Sequence, residues 1–145
     1  MDIKIRDSTL LGVLRVLVDA DNVAPRRLQP VLDLLATITS PVRITASGGQ
    51  FALDRVRWPD NAELIASAGW QRADASLAAS YIPSPDPLVL ITGDGDFALL
   101  AERHPGPVLV VSGAASGRLR NGTTVVDPAT DGVEPISAWL TAHGH

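Results

Sequence analysis

Acidic residues directly follow two apolar segments of the sequence. Asp19 and Asp21 follow the first segment in VLVDADN, and Asp94 and Asp96 follow the second in LVLITGDGDF. If both segments are neighbouring parallel strands, their carboxyl ends lie at one edge of the sheet, where open α/β sheets bind ligands. We therefore expect the carboxylates of Asp19 and Asp94 to face each other.

Facing carboxylates repel each other and raise each other's pKa unless a cation neutralises them. Their oxygen atoms are hard ligands, and the chain contains no cysteine and no histidine close to these aspartates. Such a ligand set favours Mg²⁺ or Mn²⁺. The spacing therefore predicts a divalent-metal site between Asp19 and Asp94. The lack of a convincing histidine or cysteine for catalysis favours chemistry by metal-activated water.

Each acidic residue also has a structural interpretation. Asp-Gly is a common turn dipeptide, and Asp96 could cap the helix that follows it. Asp19 or Asn22 could lie in a turn between strand and helix. Asp74, in RADASLAAS, is by its spacing more typical of a helix cap than of a metal ligand. The pairing of two acidic motifs, each after an apolar strand, favours the metal site over these structural roles.

Alternating strands and helices must position these residues. Nearly continuous apolar runs predict buried strands over 13–19, 88–92 and 107–113, while PVRITAS predicts a short strand and TTVVD an edge strand. A helix is predicted from Pro25, or from a later residue because Pro30 would break its interior. Further helices are predicted for NAELIASAG, RADASLAASYI, DFALLAERH and ISAWLTAH. This alternation implies βαβ units and a three-layer α/β sandwich.

Length and composition predict one globular domain over residues 1–145. Hydrophobic residues make up 46% of the chain and charged residues 19%, which excludes disorder of the whole chain. The absence of cysteine excludes disulfide frameworks, zinc ribbons and thiol nucleophiles. The net charge of −4 argues against a uniformly basic nucleic-acid-coating protein but allows a local basic rim. Without a signal-peptide pattern or a long apolar run, we expect a cytoplasmic protein with no membrane contact.

Three segments resemble a known family. VLVDADNV, RADASLAASYI and LVLITGDGDFALLAER, in this order and at this spacing, resemble the motifs of the NYN domain, a branch of the PIN-like metal-dependent ribonucleases. The resemblance covers residues 13–111, and the strand and helix predicted within 123–143 complete the domain. It implies a Rossmann-like α/β/α fold with a central, mostly parallel sheet. It also implies an acidic pocket that binds Mg²⁺ or Mn²⁺ and hydrolyses RNA phosphodiesters.

The resemblance also implies roles for individual residues. The catalytic, metal-binding carboxylates would be Asp19, Asp74, Asp94 and Asp96. Asn22 matches the asparagine after the family's first acidic motif, and Thr92 matches the hydroxyl residue before its Gly-Asp. Asp21 lies at a position that is commonly acidic or polar. Many relatives carry lysine just before the central aspartate, where this chain has QRA, with Arg72 as the cation.

The leading hypothesis is a metal-dependent endoribonuclease that acts on single-stranded RNA. Because a pocket of carboxylates would repel RNA, arginines on its rim would bind the flanking phosphates. The candidates are Arg26, Arg27, Arg72, Arg118 and Arg120. Since the chain carries no appended RNA-binding module, a homo-oligomer or a protein partner could select the substrate.

Two other functions stay open on the sequence. VLVDADNV also resembles the motif of haloacid-dehalogenase-like phosphatases, in which Asp19 would be the phosphorylated nucleophile and Asp21 the acid/base. That chemistry needs a basic residue after the first motif to bind the phosphate, and the single lysine, Lys4, precedes it. The third hypothesis is a PIN-like interaction module that keeps the acidic residues but has no turnover.

Overall fold

Among residues 12–67, 81–93, 98–113 and 123–145, which the computed structural model describes, six strands form one parallel sheet. The strands are β1 (Leu14–Asp19), β2 (Val42–Gly48), β3 (Glu63–Ala66), β4 (Leu88–Ile91), β5 (Val108–Val111) and β6 (Thr124–Val126). The helices are α1 (Pro25–Leu35), α2 (Gln50–Asp54), α3 (Ala98–Arg103), α4 (Pro128–Asp131) and α5 (Glu134–Ala142). A 3₁₀ turn covers Ala20–Asn22.

The strand order β3-β2-β1-β4-β5-β6 places the first strand of the chain in the middle of the sheet. The chain moves outward from β1 to β3, returns to the other side of β1 at β4, and then moves outward to β6. This is the order of doubly wound, Rossmann-like folds, which bind ligands at the crossing point between the two halves. The predicted three-layer α/β architecture is confirmed, and the crossing point lies between β1 and β4.

Apolar side chains cover both faces of the sheet, which explains why its central strands are almost continuous hydrophobic runs. On one face, Val16 and Val18 of β1 pack with α1 and α5 in the main core. On the other face, Leu17 of β1 and Leu90 of β4 pack with Ala101 of α3. Because both faces are occupied by apolar packing, polar side chains are left to the ends of the strands.

Residues 63–66 form a strand, so the helix predicted over NAELIASAG is wrong for these residues. They pair in parallel with residues 45–48 of β2, and the Ser67 amide donates to the Gly48 carbonyl at 2.8 Å. The preference of Glu, Leu and Ala for helix amounts to less than about 0.7 kcal/mol per residue. Hydrogen bonding to β2 therefore outweighs the local preference. Residues 68 and 69, the end of the predicted helix, lie outside the described part of the chain.

Helix α1 begins at Pro25 and contains Pro30, so the expectation that Pro30 delays the start of the helix is wrong. Pro25 suits the first helical position, and the Ala24 carbonyl accepts the amides of Arg27 and Leu28, both at 3.0 Å. Pro30 removes one helical hydrogen bond at a cost of about 3 kcal/mol. Burial of the opposite face of the helix offsets that cost. This face consists of Leu28, Val31, Leu32 and Leu35.

The other predicted elements agree with the structure where it describes them. The remaining predicted strands correspond to β1, β2, β4, β5 and β6, with β6 at the sheet edge. DFALLAERH contains α3, and ISAWLTAH covers most of α5, which begins two residues earlier at Glu134. The helix predicted over RADASLAASYI lies outside the described residues except for Tyr81 and Ile82, which are not helical. Helices α2 and α4 were not predicted. No helix in the described ranges is long and apolar enough to cross a bilayer.

Candidate active site at the carboxyl edge

A row of polar residues lies along the carboxyl ends of the parallel strands, where the strands leave the core. We call this side of the sheet the carboxyl edge. The sheet hydrogen bonding continues past the strand ends, since the Thr92 amide donates to the Val111 carbonyl at 3.1 Å and the Ser112 amide to the Val126 carbonyl at 3.0 Å. Side chains at these positions are therefore held by the sheet itself. In sheet order from β3 to β6, the row consists of Ser67, Ser47, Asp19, Thr92, Ser112 and Asp127.

Asp19 ends the central strand β1 and is completely buried. One carboxylate oxygen, Oδ2, accepts two hydrogen bonds, from Asn22 Nδ2 at 2.6 Å and from Thr92 Oγ1 at 3.1 Å. The two donors come from different elements, because Asn22 ends the 3₁₀ turn after β1 and Thr92 follows β4. Hydrogen bonds to a charged acceptor are worth about 1.5–3 kcal/mol each. The carboxylate is therefore held in one orientation at the crossing point of the sheet.

Asp21 has a different environment, although it lies only two residues from Asp19. Its side chain is exposed, and its Oδ1 accepts the Gly49 amide at 2.9 Å. A Cβ atom at Gly48 would lie 3.0 Å from the Ala20 Cβ and 3.2 Å from Asp21 Oδ1. The end of β2 therefore approaches the 3₁₀ turn as closely as a glycine permits, and Asp21 joins the two loops.

The loop after β4 also packs closely against the 3₁₀ turn. Thr92 is buried, and a Cβ atom at Gly93 would lie only 2.8 Å from the Asn22 carbonyl oxygen. Glycine at this position is needed because the two backbones touch. This contact keeps Thr92 and Asn22 on the same side of the Asp19 carboxylate.

A pocket of about 300 Å³ opens beside this contact. The described residues that line it come from the loops after β1, β4 and β5 and from the start of α1, so it lies at the crossing point of the sheet. They are Asn22, Val23, Ala24, Arg27, Gly93 and Gly113. Asn22, which donates to Asp19, therefore also forms a wall of the pocket, together with Gly93, the residue after Thr92.

The described arginines from the predicted rim differ in their contacts. Arg26, at the start of α1, is exposed. Arg27 instead pairs with Asp127, through Nε to Oδ1 at 2.9 Å and Nη2 to Oδ2 at 3.4 Å, and a side chain at Gly113 would overlap its guanidinium. The Arg27 hydrogen bond holds the pKa of the Asp127 carboxyl below its usual value, and that bond raises the pKa of Arg27. Two of the three guanidinium nitrogens of Arg27 therefore bind Asp127, while the side chain also lines the pocket.

The surroundings of Asp19 are compatible with a bound cation. A carboxylate is an oxygen ligand of the type that Mg²⁺ and Mn²⁺ prefer. Hydrogen bonds such as those from Asn22 and Thr92 are the means by which proteins orient metal-binding carboxylates. Within the described ranges, no three acidic or histidine side chains form a group that could hold a metal ion.

The structure therefore brings together part of the predicted site. It places Asp19, Asn22 and Thr92 in direct contact, with Asp21 in the same 3₁₀ turn as Asn22. Of the two described arginines, Arg26 is exposed at the start of α1 and Arg27 is paired with Asp127. The other predicted site residues lie outside the described part of the chain. They are Arg72, Asp74, Asp94, Asp96, Arg118 and Arg120.

Sequence reasoning missed three features of this edge: the buried hydroxyls of Ser47 and Ser112, and the carboxylate of Asp127. A signal was present, because the segments RITAS, VLVVS and TVVD each end in a hydroxyl or carboxylate residue. The Arg27–Asp127 pair had no such signal, since 100 residues separate its members.

Comparison with known proteins adds no assignment. No protein-family model matches the sequence, and no curated protein is similar to it. Function must therefore be argued from the geometry of the carboxyl edge and from the three motifs that resemble the NYN domain.

Proposed function

We propose that the protein is a metal-dependent endoribonuclease that cleaves single-stranded RNA at the carboxyl edge of its sheet. The observation that carries this proposal is the Asp19 carboxylate, buried at the crossing point and held by Asn22 and Thr92. A carboxylate with a fixed orientation is suited to hold a metal ion against a substrate. The pocket beside Asn22 and Gly93 offers space for that substrate.

In this proposal, Asp19 is a metal ligand, together with Asp74, Asp94 and Asp96, which the NYN-like motifs supply. The metal ion, when bound, would activate a water molecule and neutralise charge at the scissile phosphate. Asn22 and Thr92 orient the Asp19 carboxylate and stabilise its negative charge. Arg26 binds a flanking phosphate, with Arg27, Arg72, Arg118 and Arg120 as further candidates. The proposal places the protein in the cytoplasm, with RNA as its partner.

The position of Asp21 favours the nuclease over the phosphatase alternative. A phosphatase of that type would use Asp21 as a general acid/base beside the Asp19 nucleophile. Asp21 instead accepts the Gly49 amide in the neighbouring loop. Its carboxylate is engaged in joining two loops, whereas the hydrogen bonds around Asp19 suit a carboxylate that holds a cation.

The proposal is tested by incubating the protein with several single-stranded RNAs in Mn²⁺, in Mg²⁺ and in EDTA. We expect cleavage with either metal and none in EDTA. Asp19→Asn should lose most of this activity, while Asp33→Asn should keep it, because Asp33 is an exposed residue of α1 that accepts a hydrogen bond from Gln29. Both variants should show the thermal unfolding of a folded protein.

The same assay distinguishes the alternatives. Hydrolysis of p-nitrophenyl phosphate without RNA cleavage would support the phosphatase and overturn the nuclease. Binding of RNA without cleavage in either metal would support a non-catalytic interaction module.

A further inference from the structure

Phe51 is a large apolar side chain that the fold leaves in solvent. It is 78% exposed, compared with 68% for Ile82 and 44% for Leu64, the other exposed large hydrophobic residues in the described ranges. Helix α2 holds it there, because Leu53, which lies on another side of the same helix, is buried in the main core. The exposure of Phe51 therefore follows from the way α2 packs on the core.

The position of α2 places Phe51 beside the candidate active site. The Gly49 amide, directly before α2, donates to Asp21 Oδ1 at 2.9 Å. This hydrogen bond joins the start of the helix to the 3₁₀ turn that follows Asp19. An RNA strand with a phosphate at Asp19 and neighbouring nucleotides along this edge would therefore pass close to Phe51.

Arg55 lies over the Phe51 ring, with its Cζ atom 5.4 Å from the ring centroid. This distance is within the range of a cation–π contact. In the part of the chain that the structure describes, no carboxylate forms an ion pair with Arg55. The adjacent carboxylate, Asp54, accepts a hydrogen bond from Gln50 Nε2 at 2.8 Å. Arg55 thus offers its positive charge to a ligand, and the exposed ring offers a surface for stacking.

We propose that Phe51 and Arg55 form a stacking platform for one unpaired base of the RNA strand, with the Arg55 guanidinium placed to contact a neighbouring phosphate. This inference rests on the proposed ribonuclease function and adds two residues that would recognise an unpaired base of the single-stranded substrate. Aromatic rings bind single-stranded nucleic acid by stacking on bases, with little sequence preference. Bases inside a duplex are already stacked, so the platform selects against duplex RNA. A protein partner fits less well, because charged residues flank Phe51 on α2 and a binding hot spot needs a surrounding rim that excludes water.

The test uses fluorescence anisotropy with a labelled single-stranded RNA on the Asp19→Asn background, so that the strand is not cleaved. Loss of one base stack corresponds to about a 5- to 150-fold loss of affinity, and we expect Phe51→Ala to lie in this range. Phe51→Trp should retain affinity. Ile82→Ala is the matched control, since Ile82 is also exposed but lines a different pocket with Arg15 and Arg43 near the amino ends of the strands.

A second measurement uses RNAs that carry one abasic nucleotide at successive positions. At one position the missing base should reduce affinity for the protein that retains Phe51. Phe51→Ala should bind this abasic RNA as tightly as it binds the intact RNA, because the stacking interaction that the missing base would make is already lost in the variant. Competition with duplex RNA should be weak.

Each outcome has a separate meaning. If the parent binds RNA and Phe51→Ala binds it equally well, the platform is wrong and the ribonuclease proposal stands. A change in sedimentation coefficient on Phe51→Ala, without a change in RNA affinity, would assign the ring to a protein interface and would also overturn the platform. If wild-type protein neither binds nor cleaves RNA in Mn²⁺ or Mg²⁺, both proposals fail.

Discussion

Two polar clusters, each built around one buried residue, lie at opposite ends of the parallel strands, one at the carboxyl edge and one at the amino ends of the strands, the amino edge. They distribute their hydrogen bonds differently. At the amino edge, the Tyr81 hydroxyl lies 2.8 Å from His104 Nδ1, and His104 Nε2 lies 2.7 Å from the Asp86 carbonyl. Because a carbonyl only accepts, Nε2 is the donor, and the Nδ1 of a neutral ring accepts from Tyr81. At the carboxyl edge, Asn22 and Thr92 both donate to one oxygen of Asp19.

The amino-edge cluster is explained by structure alone. It joins the segment before β4 to the residue after α3, and the Asp86 carboxylate is paired with Arg15 Nε at 3.1 Å. Burial raises the pKa of Tyr81, which keeps its hydroxyl a donor. The comparison teaches that buried polar groups by themselves do not indicate a functional site. Both clusters adjoin a pocket, since Tyr81 also lines one. The Asp19 cluster differs because its donors converge on a carboxylate at the crossing point of the sheet, whereas the donor of His104 ends on a backbone carbonyl.

The largest expected effect is on stability at the amino edge. His104→Ala should lower the free energy of unfolding by about 3 kcal/mol, because it removes a buried side chain, which creates a cavity, and leaves two partly buried polar groups without their partner. Urea unfolding measures this change. Cleavage per folded molecule should stay near the wild-type value, and a selective loss of cleavage in the folded variant would show that the comparison of the two edges is wrong.

Metal binding should stabilise the folded protein through the carboxyl edge and should not depend on residues of the amino edge. A metal concentration about 100 times its Kd raises the free energy of unfolding by about 2.7 kcal/mol when only the folded state binds. We expect Mn²⁺ to raise the melting temperature of the wild-type protein and of Asp86→Asn, but not that of Asp19→Asn. An equal rise in all three proteins would place the ion away from Asp19.

Thr92→Val tests how much one hydrogen bond to Asp19 contributes to metal affinity and cleavage. Valine keeps the shape of the side chain but cannot donate to Asp19 Oδ2, while Asn22 still can. Loss of a residue that orients a metal ligand reduces metal affinity or activity by about 10- to 100-fold. For Thr92→Val we expect a loss of Mn²⁺ affinity and of cleavage rate near the lower limit of this range, because Asn22 still donates to Asp19. Titration with Mn²⁺ and single-turnover cleavage measure the effect. Thr92→Ser keeps the hydroxyl and should restore both values.

The smallest expected effect is the pH dependence of the Arg27–Asp127 pair. Because the pKa of Asp127 is lowered in the folded state, the pair contributes stability at pH values above the unfolded pKa of about 3.9. That contribution is lost as the pH falls through the lower, folded pKa. The stability difference between the wild-type protein and Asp127→Asn, measured by urea unfolding, should therefore shrink between pH 5 and acidic pH. A difference that stays constant would contradict the assignment.

The central strands and part of the candidate site could be predicted from the amino-acid sequence. Apolar runs identified β1, β4 and β5, because a strand buried on both faces needs apolar residues at successive positions. The polar residue at the end of such a run marks where the strand leaves the core. This is why the carboxyl ends of β1 and β4 could be predicted to lie at one edge of the sheet, once the two strands were taken to be adjacent.

Features that depend on partners far along the chain could not be predicted from the sequence. Residues 63–66 form a strand because β2 offers them hydrogen bonds, although their local preference is helical. Arg27 was predicted at an RNA-binding rim but pairs with Asp127, 100 residues along the chain. The contact of Thr92 with Asp19 likewise joins residues 73 positions apart. Periodicity reports which side of an element is buried, whereas the partner of a polar side chain depends on which strands the topology brings together.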